Sequence, residues 1–247
     1  MTNLLILGAN SAMARALARK LAGPDVRLLL AGRNIQEIEK TAADIQLRCQ
    51  QCPQPLVFPF EADKTETHEA FLRRVLDKAG AIDAAYLFFG QMYAQTEAQN
   101  DFRLTREMLM INYVGAVSIL EQLAAYMEER RNGLIVGVSS VAGDRGRQSN
   151  YLYGSSKAAL SAYLQGLRNR LARSNVHVLT VKPGMVDTPM TRDLKKGLLF
   201  SKPEVIADGI VRAVRKRKDS VYLPGYWRWI MWVIRQVPET VFKRMKM

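Results

Sequence analysis

Cysteine and histidine are nearly missing from this chain, with two of each in 247 residues. A structural zinc site takes about four nitrogen or sulfur ligands, and neither His68 nor His177 lies near the Cys49-Gln50-Gln51-Cys52 pair in sequence. No metal is therefore expected, and the two cysteines read as free thiols at a helix end before Pro53, with a redox pair of Cys-x-x-Cys spacing as the alternative. So few cysteines also exclude a disulfide-stapled miniprotein. A secretory start is lacking: Met1 leads directly into a short apolar run ending at Gly8, with no charged opening segment and no small-residue cleavage site. The expectation is a cytoplasmic protein. Low-complexity stretches and internal repeats are absent too, which leaves one globular domain as the economical reading.

Acidic residues are scarce relative to basic ones, 23 against 36, for a formal charge of +13. That balance points to an anionic partner: a nucleotide phosphate, a membrane surface or nucleic acid. The excess is uneven. Arg212 to Met247 holds ten basic and two acidic residues, so +8 of the +13 lies in the last 36 residues.

What is present in quantity is hydrophobic sequence, 48% of the chain, arranged as short apolar runs separated by amphipathic segments. Runs at 3–8, 26–31, 56–60, 83–89, 133–139, 176–181 and 220–223 predict strands. Segments at 12–22, 35–48, 65–79, 98–130, 151–173 and 203–217 predict helices. Alternation of this kind predicts an α/β fold, a doubly wound parallel sheet of the Rossmann type with about seven strands and helices on both faces.

Gly8-Ala9-Asn10-Ser11-Ala12-Met13-Ala14 follows the first predicted strand and opens the first helix, where a small-residue turn lets backbone N–H groups approach a pyrophosphate. Alanine replaces the second and third glycines of the usual pattern, and a tight turn without a ligand is the plain alternative. The second strand ends Ala31-Gly32-Arg33-Asn34, without the carboxylate that would accept from an unmodified adenosine ribose. An arginine there suits a 2′-phosphate, so NADP(H) is favoured over NAD(H); a solvated loop charge is the alternative for Arg33. Ser11 could add a hydroxyl to the same phosphate. Asp63 could accept from an adenine amino group or cap the following helix.

Tyr153-Gly154-Ser155-Ser156-Lys157 places a tyrosine and a lysine one helical turn apart on one face. Ser140 stands thirteen residues earlier at the carboxyl end of a predicted strand, where open α/β sheets bind ligands. With Asn112 in the long helix and Pro183-Gly184-Met185-Val186-Asp187-Thr188 after the sixth strand, the chain resembles the short-chain dehydrogenase/reductase family from Leu4 to Leu223. An ordinary amphipathic helix face with a turn serine would require every one of these spacings to be accidental.

The resemblance implies hydride transfer between NADP(H) and a carbonyl or secondary alcohol, with Tyr153 as proton donor, Lys157 lowering the phenol's pKa and holding the nicotinamide ribose, Ser140 holding the substrate oxygen and Asn112 supporting a water path. It implies that Gly8, Asn10, Ser11, Ala12, Met13, Arg33, Asp63, Gly90, Tyr153, Lys157, Pro183, Gly184, Val186 and Thr188 contact the cofactor. It also implies a homodimer or homotetramer. Leu87-Phe88-Phe89-Gly90 departs from the family's Asn-Ala-Gly turn, keeping Gly90 alone, and is similar to a bacterial branch that includes the reductase partner in decaprenylphosphoryl-arabinose formation. A rival reading is a sensor or scaffold protein that keeps the fold and the ligand but turns nothing over; the Tyr, Lys, Ser and Asn set argues against it, since a binder needs no proton donor.

Residues 188–202 occupy the place of a substrate lid, and their Leu, Phe and basic content suits a lipophilic or lipid-linked substrate as well as it suits an ordinary surface helix. The expected organisation is an NADP-binding domain over 1–225 that includes this lid, then a basic, aromatic tail over 226–247. All three tryptophans fall at 227, 229 and 232, beside cations, as in an interfacial membrane segment. The uncharged run 229–234 is far short of the roughly twenty residues of a span, so two short helices separated at Pro238 are expected on an anionic membrane surface, peripheral on its inner face. Packing on the domain itself or on a partner subunit is the alternative. No stripe of cations with spaced aromatics marks the domain, so nucleic acid is not expected.

Overall fold

The computed structural model describes residues 1–192 and 195–245. Asp193 and Leu194 of the expected lid, and Lys246 and Met247 of the tail, lie outside the described residues. Seven strands form one parallel sheet in the order β3-β2-β1-β4-β5-β6-β7: β1 (Thr2–Leu7), β2 (Val26–Gly32), β3 (Leu56–Pro59), β4 (Ala84–Leu87), β5 (Gly133–Val138), β6 (Val176–Pro183) and β7 (Ser220–Leu223). The order reverses between β1 and β4, opening a crevice at their carboxyl ends.

The central strands are apolar on both faces because helices cover both. On one side Leu5, Leu7, Leu29 and Ile135 pack against α3 (His68–Ala79), α6 (Gly115–Arg130) and α7 (Tyr151–Leu171) through Phe71, Ile119, Leu160 and Leu164. On the other, Leu4, Ile6, Leu30 and Val136 meet α1 (Ala12–Leu21), α2 (Ile35–Arg48) and α8 (Pro203–Arg215) through Leu17, Ile38, Ile206 and Ile210. His68 is fully buried, stacked on Phe60 with both ring nitrogens hydrogen-bonded, to Ser118 and Glu61. It is a core residue.

The long helix expected over 98–130 is divided. Asp101 separates α4 (Gln95–Asn100) from α5 (Phe102–Leu109) and caps the latter by accepting from the Arg103 N–H at 2.9 Å. A π-helical turn, Met110–Val114, then joins α5 to α6. Such π-helical turns are rare and cluster at functional sites, and this one carries Asn112, described below.

The cysteine expectation is corrected. The Cys52 N–H closes a turn onto the Cys49 carbonyl at 3.0 Å, bringing the Cα atoms to 5.3 Å, and the two sulfurs are joined in a disulfide. Among the described residues there is no cluster of metal-ligating side chains.

The tail forms α9 (Trp227–Gln236) and α10 (Glu239–Phe242), two short helices on either side of Pro238. It packs on the domain itself: Trp227 and Met231 are buried against Val141. Arg145 donates to the Ile234 and Val237 carbonyls, both at 2.6 Å, and to Glu239 at 3.0 Å, with its guanidinium over the Phe242 ring. The outward face of α9 carries Trp229 and Trp232, 66% and 59% exposed.

Candidate active site

Two neighbouring cavities open at the carboxyl ends of the strands and share Met13, Thr188 and Met190 as common wall. The first, about 340 Å³, is lined by Gly8, Asn10, Ser11, Ala12, Arg33, Asp63 and Gly90. Gly8 sits at φ 82°, and a Cβ there would collide with the Phe89 backbone. Only glycine fits this turn comfortably. The Asn10 side chain is committed to the protein: its amide donates to the Asn34 carbonyl at 2.9 Å and its oxygen accepts from the Asn34 N–H at 3.3 Å, tying the β1–α1 turn to the β2–α2 loop. Ser11 occupies the cap position of α1 without using its hydroxyl there. Lys64 holds the cap position of the turn after Asp63, so the capping role considered for Asp63 is not adopted. Arg33 is exposed at the cavity rim.

The second cavity, about 400 Å³, is lined by Ser140, Tyr153, Pro183, Gly184 and Val186. Ser140 follows β5 and accepts from the Ala142 N–H at 3.1 Å. Tyr153 lies in the first turns of α7. Burial pushes its phenol up to about 12, the neighbouring Ser140 hydroxyl pulling slightly the other way. The expected lowering of the phenol's pKa by Lys157 is not found in the structure. The Lys157 ammonium sits 5.9 Å from the centre of the Tyr153 ring and is itself brought down to about 8 by burial, so desolvation outweighs the attraction between the pair.

Lys157 and Asn112 lie just beneath the cavities, behind Gly90. A Cβ on Gly90 would stand 3.3 Å from both the Lys157 Nζ and the Asn112 Oδ1. Lys157 donates to the Val138 carbonyl at 3.2 Å. Asn112 accepts from the Gln91 N–H at 2.7 Å and donates to the Gln91 carbonyl at 2.8 Å and to Ser156 Oγ at 3.0 Å.

Among the residues of the second cavity that sequence reasoning missed are Gln95, Arg147, Asn150 and Trp227. The first three sit in loops or at helix starts with no motif spacing to mark them. Trp227 looked like part of a separable tail, yet its indole fills the space where Gly184 lacks a side chain. Removing the tail would therefore strip a wall from this cavity.

A family model described as short chain dehydrogenase matches residues 2–198. An oxidoreductase of Streptomyces coelicolor is 34% identical over 244 residues, covering 98% of this chain and 95% of its own. One of Mycobacterium tuberculosis is 33% identical, covering 98% and 96%. Among solved structures, a short chain dehydrogenase from Burkholderia cenocepacia in complex with NADP superimposes with a TM-score of 0.82 at 19% identity, over 100% of this chain and 98% of that one. Actinorhodin polyketide ketoreductase with NADPH gives 0.80 at 19% identity, over 91% and 96%.

Burying Lys157 has a consequence for stability. The unfolded chain keeps this proton up to about 10.5 and the folded one only to about 8. Between those values the unfolded state holds more protons, so stability rises with pH; below about 8 the cost of the buried charge is complete. Lys157→Met is expected to be more stable than the parent at pH 7, by about 1–2 kcal/mol, with the difference shrinking by pH 10. Thermal unfolding at the two pH values checks it, and an equal difference at both would contradict the burial argument.

Proposed function

The chain belongs to the short-chain dehydrogenase family and is an oxidoreductase, and from that premise we propose that it interconverts a carbonyl and a secondary alcohol with NADP(H) as the hydride carrier. The observation that carries this reading is the pairing of Ser140 and Tyr153 in a cavity that shares a wall with the one holding Arg33. The residues suit a dinucleotide. Gly8 has space for backbone approach but none for a side chain; the Ser11 N–H is spent on the Gly8 carbonyl at 2.9 Å, and Ser11 and Ala12 offer small side chains where the N-terminus of α1 can meet a pyrophosphate. Pro183, Gly184, Val186 and Thr188 would flank the nicotinamide, with Gly90, Met13 and Asp63 completing the cradle. When bound, the nicotinamide supplies or accepts the hydride.

The chain's own residues manage the proton. A phenol held near 12 is protonated at neutral pH, the state needed to donate to a carbonyl oxygen gaining negative charge. Ser140 Oγ lies beside it to hold that oxygen. Lys157, with a pKa near 8, remains largely cationic at pH 7 and would hold the nicotinamide ribose, the role the family resemblance gives it. Asn112 anchors the Gln91 backbone and α7, and so fixes Tyr153 and Lys157 relative to Gly90. In this reading the resting protein is set for reduction.

Arg33 supports NADP(H) over NAD(H), since a guanidinium meets a 2′-phosphate with charge-assisted, bidentate bonds. A lipophilic or lipid-linked substrate is supported by Met190, exposed in the wall of both cavities, and by Leu198 and Leu199, exposed further along the same segment; the Tyr226 hydroxyl donates to the Leu199 carbonyl at 3.2 Å. That bond links the lid to α9, whose outward Trp229, Trp232 and Val233 would rest on an anionic membrane surface. In this reading the protein is cytoplasmic and peripheral to the membrane's inner face.

NADPH oxidation screened over lipid-linked keto sugars, 3-keto acyl thioesters, steroids and simple ketones tests the activity. With a substrate in hand, Tyr153→Phe is expected to lower kcat by several orders of magnitude while NADPH affinity stays nearly intact; near-parental turnover would overturn the proton-donor role. Arg33→Asp is expected to weaken NADPH binding at least tenfold while affecting NADH much less, as read by fluorescence titration of both cofactors. Unchanged NADPH affinity would make Arg33 a surface charge. The full chain is expected to co-sediment with phosphatidylglycerol vesicles at low salt and less at high salt, and the double variant Trp229→Ala/Trp232→Ala less than the parent at either. Equal sedimentation of the two proteins would remove the membrane reading.

A further inference from the structure

Buried polar atoms in folded proteins almost always find partners, and those that do not call for an explanation. Among the described residues six buried side-chain atoms have none, and four of them belong to residues lining the cavity of Ser140 and Tyr153: Gln95 Nε2, Arg147 Nε, Asn150 Oδ1 and Trp227 Nε1. Three of these four are donors.

The surrounding bonds leave these donors free. Gln95 accepts from the Leu152 N–H with its side-chain oxygen at 3.2 Å, which orients the amide and leaves the NH₂ group without a partner. Asp144, the nearest acid in sequence to Arg147, is engaged by Lys182 and by the Tyr222 hydroxyl, both at 2.6 Å. Among the described residues Arg147 has no salt bridge, and burial pushes its guanidinium below the ordinary value. The neighbouring Arg145 behaves differently: it turns to the tail, where two carbonyls and Glu239 satisfy it. Trp227 is 3% exposed, and its indole N–H has no acceptor. Asp144 attracts this half-buried guanidinium without bonding it, so its desolvation is only partly offset, and two further unused donors belong to residues of the same cavity. An oxyanion is the ligand class that matches such donors, and arginine offers it a bidentate fork.

We propose that the substrate carries an anionic group, a carboxylate or a phosphate monoester, which the Arg147 guanidinium, the Gln95 amide and the Trp227 indole N–H hold within the Ser140–Tyr153 cavity. The Asn150 Oδ1, an unpartnered acceptor of the same lining, suits a hydroxyl of the substrate. This inference rests on the oxidoreductase reading for what the cavity turns over, but not for what it binds. It makes the substrate amphiphilic, with a charged end fixed inside the cavity and an apolar body at the exposed lid.

The test has two arms. In the first, keto acids of increasing length, matching keto phosphates and the methyl esters of the acids are compared as substrates with saturating NADPH. The expected result is a kcat/KM at least tenfold higher for an anion than for its neutral counterpart, falling toward parity in Arg147→Gln and partly retained in Arg147→Lys. Whether carboxylate or phosphate gives the larger ratio identifies the group. The second arm needs no turnover: thermal shifts are measured with hexanoate, hexyl phosphate and hexanol, the cofactor in excess. Stabilisation of the parent by an anion but not by hexanol, lost in Arg147→Gln, supports the subsite even if no ketone is reduced. Gln95→Glu keeps an oxygen for the Leu152 N–H while facing the anion with a negative charge, and is expected to lose the shift as well. Equal responses to anion and hexanol in the parent, or an anion shift unchanged in both variants, would overturn the proposal. Absence of turnover together with an anion shift that depends on Arg147 would instead count against the oxidoreductase reading alone.

Discussion

The buried amide of Asn112 holds together three elements that chain order keeps apart. It is 1% exposed, sits in the π-helical turn between α5 and α6, and spends its hydrogen bonds on both backbone groups of Gln91 and on Ser156 of α7. Ser156 in turn donates to the Tyr153 carbonyl at 2.7 Å. A buried polar group left without its partner costs about 1–3 kcal/mol, so this network resists any sliding of α7 against the segment after β4. The positions of Tyr153 and Lys157 relative to Gly90 follow from it.

Burial acts on both ionisable groups of that helix in opposite senses. It raises the tyrosine and lowers the lysine, because removing water penalises whichever form is charged. The same low-polarity surroundings make the unmatched donors around Ser140 costly when unfilled and discriminating when filled. A cavity with strong charge assistance and few acids of its own is suited to small, negatively charged ligand groups.

The basic C-terminal segment divides its work by face. Its inner side is held by Arg145 and by burial of Trp227, Met231 and Phe242. Trp227 thereby becomes a wall of the cavity. The outer side keeps two indoles in water, which explains how one short helix can contribute both to a binding site and to the protein's outer surface.

The layered α/β architecture was legible in the amino-acid order alone, since apolar runs with both faces covered and amphipathic segments between them leave few other solutions. That order also settled which glycine turn, which serine and which tyrosine–lysine pair stand at the strand ends, because spacing of three or four residues on a helix and position at a strand terminus are local properties. What it left open depended on distance in the chain. The bonds that Asn112 makes from the π-helical turn reach residues twenty-one and forty-four positions away. The closure of Cys49 on Cys52 depended on a turn geometry that spacing alone does not distinguish from two free thiols. The joining of Gln95, Arg147 and Trp227 around one cavity was decided only by tertiary packing, because whether a donor is satisfied is a property of its surroundings in space and not of its neighbours in sequence.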